Sequence, residues 1–206
     1  AAGEVVVPTG PAEIGGRRSL AAAGSAERSP QVIEECAGVT HLPLTGGGGM
    51  DHPEEIQFGP DNDIFIGGWT SSTAYPTTPG AFQAAKSGQF NGYITRMPLS
   101  LTSITASTFF GGAQGWDFVY GLNFDGEVII TGHTGSSSGF PITSGAYDTT
   151  YNSVYGPDGG DDVFVSRLSA DLSTVLASTY LGGTGWDGGW KALAVDSFIL
   201  VSGSVG

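Results

Sequence analysis

A single cysteine, Cys36, occurs in 206 residues, so no internal disulfide framework can form. Its own readings are a small buried hydrophobe or a half of an intermolecular bridge. Basic residues are scarce: seven Lys and Arg stand against 20 Asp and Glu, a net charge of −13. Neutralising nucleic-acid phosphates takes a basic patch, so a nucleic-acid partner is excluded. Charged residues make up 13% of the chain, against the roughly 25% usual in globular proteins. No apolar run approaches the ~18 residues of a membrane-spanning helix. Glycine is abundant, at 35 residues, but has no period of three, which excludes a collagen helix. The same glycine, with much Ser and Thr, argues against helical bundles. Hydrophobic residues at 39% and aromatics at 11% suffice for a packed core. What remains is a turn-rich, soluble, all-β chain. The first residues, Ala1-Ala2-Gly3, fit a chain after signal-peptide removal and equally a fragment of something longer. Low lysine and an acidic Gly/Ser/Thr-rich composition lean toward an extracellular or cell-surface protein.

Internal repetition is strong. STFFGGAQGWD over 107–117 returns as STYLGGTGWD over 178–187, and more weakly as PLTGGGGMD over 43–51. WTSSTAYPTTPGAFQ over 69–83 returns as HTGSSSGFPITSGAYD over 133–148. NGYITRM over 91–97 matches DVFVSRL over 162–168 and sets Arg96 opposite Arg167. A β-branched run closed by glycine occurs four times, from Gly3, Asn62, Gly126 and Asp196. The unit is therefore about 60–70 residues long.

Each unit reads as four strands. The first is a short apolar run, 119–124 or 191–195. Asp-Asn or Asp-Gly turn chemistry at Asp61-Asn62 and Asp125-Gly126 then makes a tight hairpin into a second strand, 63–67 or 127–131. A long Ser/Thr/Pro/Gly loop precedes the third strand, 92–97 or 163–168, whose residues alternate in character. The fourth covers 104–110 or 175–181. Antiparallel four-stranded units at a fixed period predict β-propeller-like blades.

These motifs in this order resemble the SBBP repeat, a proposed seven-bladed β-propeller repeat of bacterial and archaeal proteins. The likeness covers 43–206. The family's frequent Asp-Asp after the Gly-rich turn is here Trp116-Asp117, Trp186-Asp187 and Met50-Asp51. The resemblance implies a secreted or surface protein and no single activity.

The expected organisation is a degenerate partial blade with an arm over 1–50, blades over 51–112 and 113–183, and the first two strands of a further blade over 184–206. That is about three blades' worth, with incomplete first and last blades, where a closed ring takes roughly four to eight. In the N-terminal part, 31–34 and 39–44 are expected to supply third- and fourth-type strands. The stretch 8–30 reads as a long loop with one helical turn near 20–23, or as an arm carrying Arg17, Arg18 and Arg28 to a partner. Unpaired edges are a liability that natural proteins avoid. Three resolutions stay open: a longer polypeptide, pairing with neighbouring subunits, or a compact sandwich of the same strands.

Chemistry-bearing patterns are few. His41, His52 and His133 lie in three different units, and His133 fills the slot of Trp69, which reads as packing. No nucleophile-elbow pattern G-x-S-x-G is present. Enzymatic activity is therefore not expected. Asp158, Asp161 and Asp162 crowd a Gly-rich loop; they are the leading metal candidate, for Ca²⁺, against the plainer reading of an Asx-stabilised turn, and GPDND over 59–63 is a weaker one whose default is a hairpin turn. Asp117 and Asp187 are expected to accept backbone amides. Trp69, Trp116, Trp186, Trp190, Tyr75 and Phe140 are expected to pack within and between blades, with a sugar-stacking surface as the alternative.

The functional expectation is an extracellular structural or assembly protein, a filament, surface-layer or scaffold subunit, whose incomplete blades are finished by its own kind or by another segment. The candidate interface is Glu4, Val5, Val6 and Val7 together with Phe198, Ile199, Leu200 and Val201. The alternative is an adhesin or carbohydrate-binding propeller module.

Overall fold

The structure, a computed structural model, describes residues 4–6, 19–21, 45–153, 160–195 and 198–206. It is all-β. Two short strands, β1 (Glu4–Val6) and β2 (Ser19–Ala21), pair antiparallel. Ser19–Ala21 is thus a strand where composition suggested loop and helical turn. The expected strands at 31–34 and 39–44, and Cys36, lie outside the described residues.

Two four-stranded antiparallel sheets follow. The first blade runs β3 (Asp51–Phe58), β4 (Asp63–Thr70), β5 (Asn91–Pro98) and β6 (Ala106–Phe110), each strand bonded to the next. The second repeats that order with β7 (Asp117–Phe124), β8 (Val128–Thr134), β9 (Asp162–Leu168) and β10 (Val175–Leu181). β11 (Gly188–Val195) and β12 (Phe198–Ser204) form a two-stranded third sheet. Among the described residues no helix is long and apolar enough to cross a membrane. The first strands are packing neighbours in succession, β3 against β7 and β7 against β11, with β4 also on β7 and β11 also on β8. The sheets therefore stack serially as blades and not as the two layers of a sandwich.

Local chemistry explains the hairpins. Asp61 and Asn62 both sit at positive φ, 59° and 58°, as a type I′ connection requires, and the short side chains tolerate it. The turns between third and fourth strands instead place Leu101 and Leu172 at φ 55° and 59°. Left-handed backbone costs a non-glycine residue about 1–2 kcal/mol. Both side chains are buried, Leu172 completely, and burial of a leucine returns ~1.5–3 kcal/mol.

The main core lies between the first two blades. Phe110 at the end of β6 meets Phe140 edge-on at 5.4 Å and Phe164 at 5.5 Å. Val119, Leu122, Ile130, Leu168 and Leu172 close around them. The Tyr-Pro and Phe-Pro loops do what their sequence suggests: Tyr75 packs on Tyr93 and Phe109, and Phe140 on Phe164 and Tyr180.

Burial differs between the fourth strands of the two blades. Along β6, Ala106, Thr108 and Phe110 are buried under the second blade. Their repeat equivalents on β10, Ala177, Thr179 and Leu181, are only half-buried. Phe110→Ala should therefore cost about 3–5 kcal/mol of unfolding free energy, and Leu181→Ala roughly 1–2 kcal/mol, because part of its side chain already meets water. Urea denaturation of the two variants checks this; equal losses would mean that the second seam is as closed as the first.

Candidate functional site

Three features of the fold carry polar or exposed chemistry: a carboxylate at the head of each blade, an aromatic run along one rim, and the free edge of the third sheet.

Asp51, Asp117 and Asp187 open the three sheets. Each accepts the backbone N–H of a glycine in the turn just before it: Gly47 to Asp51 at 2.7 Å, Gly112 to Asp117 at 2.8 Å and Gly183 to Asp187 at 2.7 Å. The amides thus come from the preceding turn, not from the following strand. The other carboxylate oxygen takes the hydroxyl of the last residue of the neighbouring second strand, Thr70 to Asp51 and Thr134 to Asp117, both at 2.5 Å. Asp187 receives Gly206 N–H there, at 3.0 Å. Backbone bonds stitch the same places between blades, Asp117 N–H to Phe90 C=O at 3.2 Å and Asp187 N–H to Asp161 C=O at 2.7 Å.

The first residue of each third strand completes the seam, and here the two copies diverge. Asn91 donates its side-chain amide to Asp117 Oδ2 at 3.1 Å, while its oxygen accepts Ser87 and Gly88 N–H. The equivalent residue in the second blade is Asp162. Its carboxylate accepts Asn152 N–H at 2.8 Å and Ser153 Oγ–H at 2.6 Å. It converges with Asp187 on Gly182, where a Cβ would lie 2.7 Å from Asp162 Oδ1 and 2.8 Å from Asp187 Oδ2. Two buried acids thus stand where the first seam has an amide and an acid. Burial pushes Asp162 above its ordinary value, and the Asp187 charge adds to the rise. Burial also pushes Asp117 up, to about 6, against the lowering by its hydroxyl and amide donors. The repeat sets Asp162 opposite Asn91, but the sequence marked it only as a candidate calcium ligand and not as a second acid beside Asp187.

Of the predicted calcium trio, two members are described, and they face different partners. Asp158 lies outside the described residues. Asp161 turns to His133, Oδ2 to Nδ1 2.8 Å, and accepts the Trp186 indole N–H at 3.2 Å. Asp162 is held in the seam just described. Among the described residues, no group of three or more His, Cys, Asp or Glu is arranged to hold a metal ion.

The aromatic run crosses all three sheets. His52 stacks on Trp69 at 4.9 Å, Trp69 on Phe118 at 4.6 Å, and Phe118 meets His133 at 4.9 Å. His133 then meets Trp186, and Trp186 meets Trp190, each at 5.7 Å. His133 is buried in this run, as its exchange with Trp69 in the repeat suggested. Trp116, Trp186 and Trp190 seal the seams with one face and leave 49%, 38% and 39% of their surface to solvent.

The candidate interface splits. Glu4, Val5 and Val6 pair with Ala21, Leu20 and Ser19, and Val7 lies outside the described residues. Phe198, Ile199, Leu200 and Val201 belong to β12, whose described partner is β11 alone. Phe198 and Leu200 are 70% and 58% exposed. Ile199 and Val201 point the other way and are half-buried toward the second blade. No protein-family model matches this chain, and no curated protein matches its sequence.

The acids make stability pH-dependent with a definite sign. A carboxyl whose folded value exceeds its ordinary 3.8 binds protons more tightly when folded, so its contribution is complete below about pH 4 and is lost through the raised value. For Asp117 the window is about pH 4 to 6 and the span on the order of 3 kcal/mol. Asp162→Asn recreates the first seam's amide–acid pair. It should raise the urea midpoint at pH 7, leave it nearly unchanged at pH 4, and so flatten the profile. A larger loss at pH 7 than at pH 4 would show that the second carboxylate is needed as an anion.

Proposed function

We propose that this chain is a non-enzymatic extracellular structural or assembly protein of the SBBP-repeat type, acting by β-strand addition to its incomplete third blade. The observation that carries this reading is the edge of β12, which no described strand covers, whereas the same edge of β4 and of β8 is covered by a third strand, β5 and β9. Exposed Phe198, Leu200, Leu193 and Val195 on that sheet add an apolar surface of the kind that marks interaction sites. Backbone hydrogen bonds along such an edge supply affinity, and alternate side chains supply register. The strand that completes the blade comes from another chain or from further sequence of the same polypeptide. The acidic, lysine-poor composition supports an extracellular setting and keeps the assembly soluble.

A second reading, an adhesin or carbohydrate-binding module, is favoured by one observation: Trp116, Trp186 and Trp190 offer partly exposed ring faces on a single rim. Their indole faces would stack on sugar rings, with Gln89 and Asp161 already beside the Trp116 and Trp186 N–H groups.

Light scattering tests the primary reading. The 21.0 kDa chain is expected in concentration-dependent species above its own mass, and Phe198→Lys with Leu200→Lys is expected to return it to a monomer with an unchanged circular dichroism spectrum. EDTA is expected to leave the distribution unaltered. A monomer at every concentration, with β12 amides protected from exchange, would overturn strand addition; glycan-array binding lost on Trp186→Ala would then support the second reading.

A further inference from the structure

The two complete blades specify the strand that the third one lacks. In both, the second strand carries a glycine near its end, Gly68 on β4 and Gly132 on β8, and an aromatic of the third strand sits directly across it, Tyr93 and Phe164. A Cβ on Gly68 would come within 2.9 Å of the Tyr93 hydroxyl, and one on Gly132 within 3.1 Å of Phe164 Cε1. The aromatic covers the bare backbone, a known way of repairing a glycine in a sheet. Gly203 occupies this slot on β12: it pairs with Gly189 as Gly132 pairs with Val119. No described residue on a further strand lies across it.

The face of the second blade gives independent support. Phe164 does not only cover Gly132; it packs on Phe110 of the first blade at 5.5 Å. Leu181 is the repeat equivalent of Phe110 and is half-buried where Phe110 is fully buried. Arg167, equivalent to the 18% exposed Arg96, is 46% exposed. Beside them two open clefts of about 330 Å³ each meet at Arg167 and Ile199, and Val165, Leu176 and Ala177 line one of them. An aromatic placed across Gly203 would point at Leu181, since Gly203, Val201 and Ile199 share the side of β12 that faces the second blade.

One feature of the occupant must differ from β5 and β9. Arg96 is bonded to Asp63 at 2.6 Å, and Arg167 pairs with Glu127. The position of Asp63 and Glu127 is taken by Phe198 in the third sheet. An arginine opposite Leu200 would there face an apolar ring instead of a carboxylate.

We infer that β12 takes, as an antiparallel neighbour, a third-strand segment of this same repeat with an aromatic across Gly203, a Ser or Thr across Val201 and an apolar residue, not arginine, across Leu200. This rests on the strand-addition reading above and adds the identity and register of the partner. Cross-strand pairs of these kinds set register in antiparallel sheets, and the aromatic contributes most because it closes both the glycine gap and the Leu181 surface.

The test uses the 206-residue chain, labelled with ¹⁵N, and a synthetic peptide of residues 160–183, which holds β9, its turn and β10. The peptide is expected to protect β12 amides from hydrogen exchange. The peptide carrying Phe164→Gly is expected to bind at least tenfold more weakly, and the one carrying Arg167→Leu several-fold more tightly than the parent. Equal binding of the Phe164→Gly peptide, or protection of β10 in place of β12, would overturn the inference. If no peptide protects β12 while self-association of the chain does, strand addition stands and the same-repeat partner is wrong. If neither reaches β12, both readings fall.

Discussion

A carboxylate held at the head of each sheet is the constraint on which the blade stack depends. Asp117 is the fullest case: its two oxygens gather Gly112 N–H, the Thr134 and Ser136 hydroxyls and the Asn91 amide, all out of contact with water. Those donors come from the Gly-rich turn, the second strand of the same blade with the loop that follows it, and the third strand of the previous blade. Charge-assisted bonds of this kind are about twice as strong as neutral ones, and an unpaired buried acid would be costly. The arrangement therefore ties three separate segments to one atom pair, and it fixes where a blade begins relative to its neighbour. The glycines on either side are the complement of that requirement, because a Cβ on Gly111 would fall 2.6 Å from Asp117 Oδ2.

The seam between the first and second blades and the seam between the second and third are built on one plan, and two of their differences stand out. Asn91 becomes Asp162, and Phe110 becomes Leu181. The first change exchanges a donor for a second acid and makes the later seam sensitive to protonation. The second replaces an aromatic knob by a smaller one, on a face that the two-stranded third sheet reaches only in part. Both alterations fall next to the third sheet, on the side of β12 that no described strand covers.

Much of this architecture was legible in the chain itself. The third and fourth strands of both blades, the Asp61-Asn62 hairpin and the docking of Tyr75 and Phe140 onto their own sheets all follow from alternation, turn chemistry and the repeat. Asp117 and Asp187 were legible as acceptors, though the direction of their amides was not, since a preceding and a following turn are equally near in sequence. The loop of Asp158, Asp161 and Asp162 looked like an oxygen cage because acidic residues crowd there. In the fold, adjacent residues of a strand point to opposite sides, so Asp161 goes to His133 and Trp186 while Asp162 goes to the seam. The half-exposure of Trp116 and Trp186 was illegible for a related reason: an indole can close a seam with one face only.

The sequence by itself determined the all-β class, the four-strand unit and its period, because strand alternation and Asp-Asn or Asp-Gly turns act over a few residues and need no tertiary context. Tertiary structure alone decided which acids meet and which surfaces stay open. Asp162 and Asp187 are 25 residues apart in the chain and converge on Gly182 only because successive blades stack, and the edge of β12 is free because no described strand lies beside it. Such facts depend on packing between repeats, where contact is set by the geometry of the whole stack and not by the residues next in line.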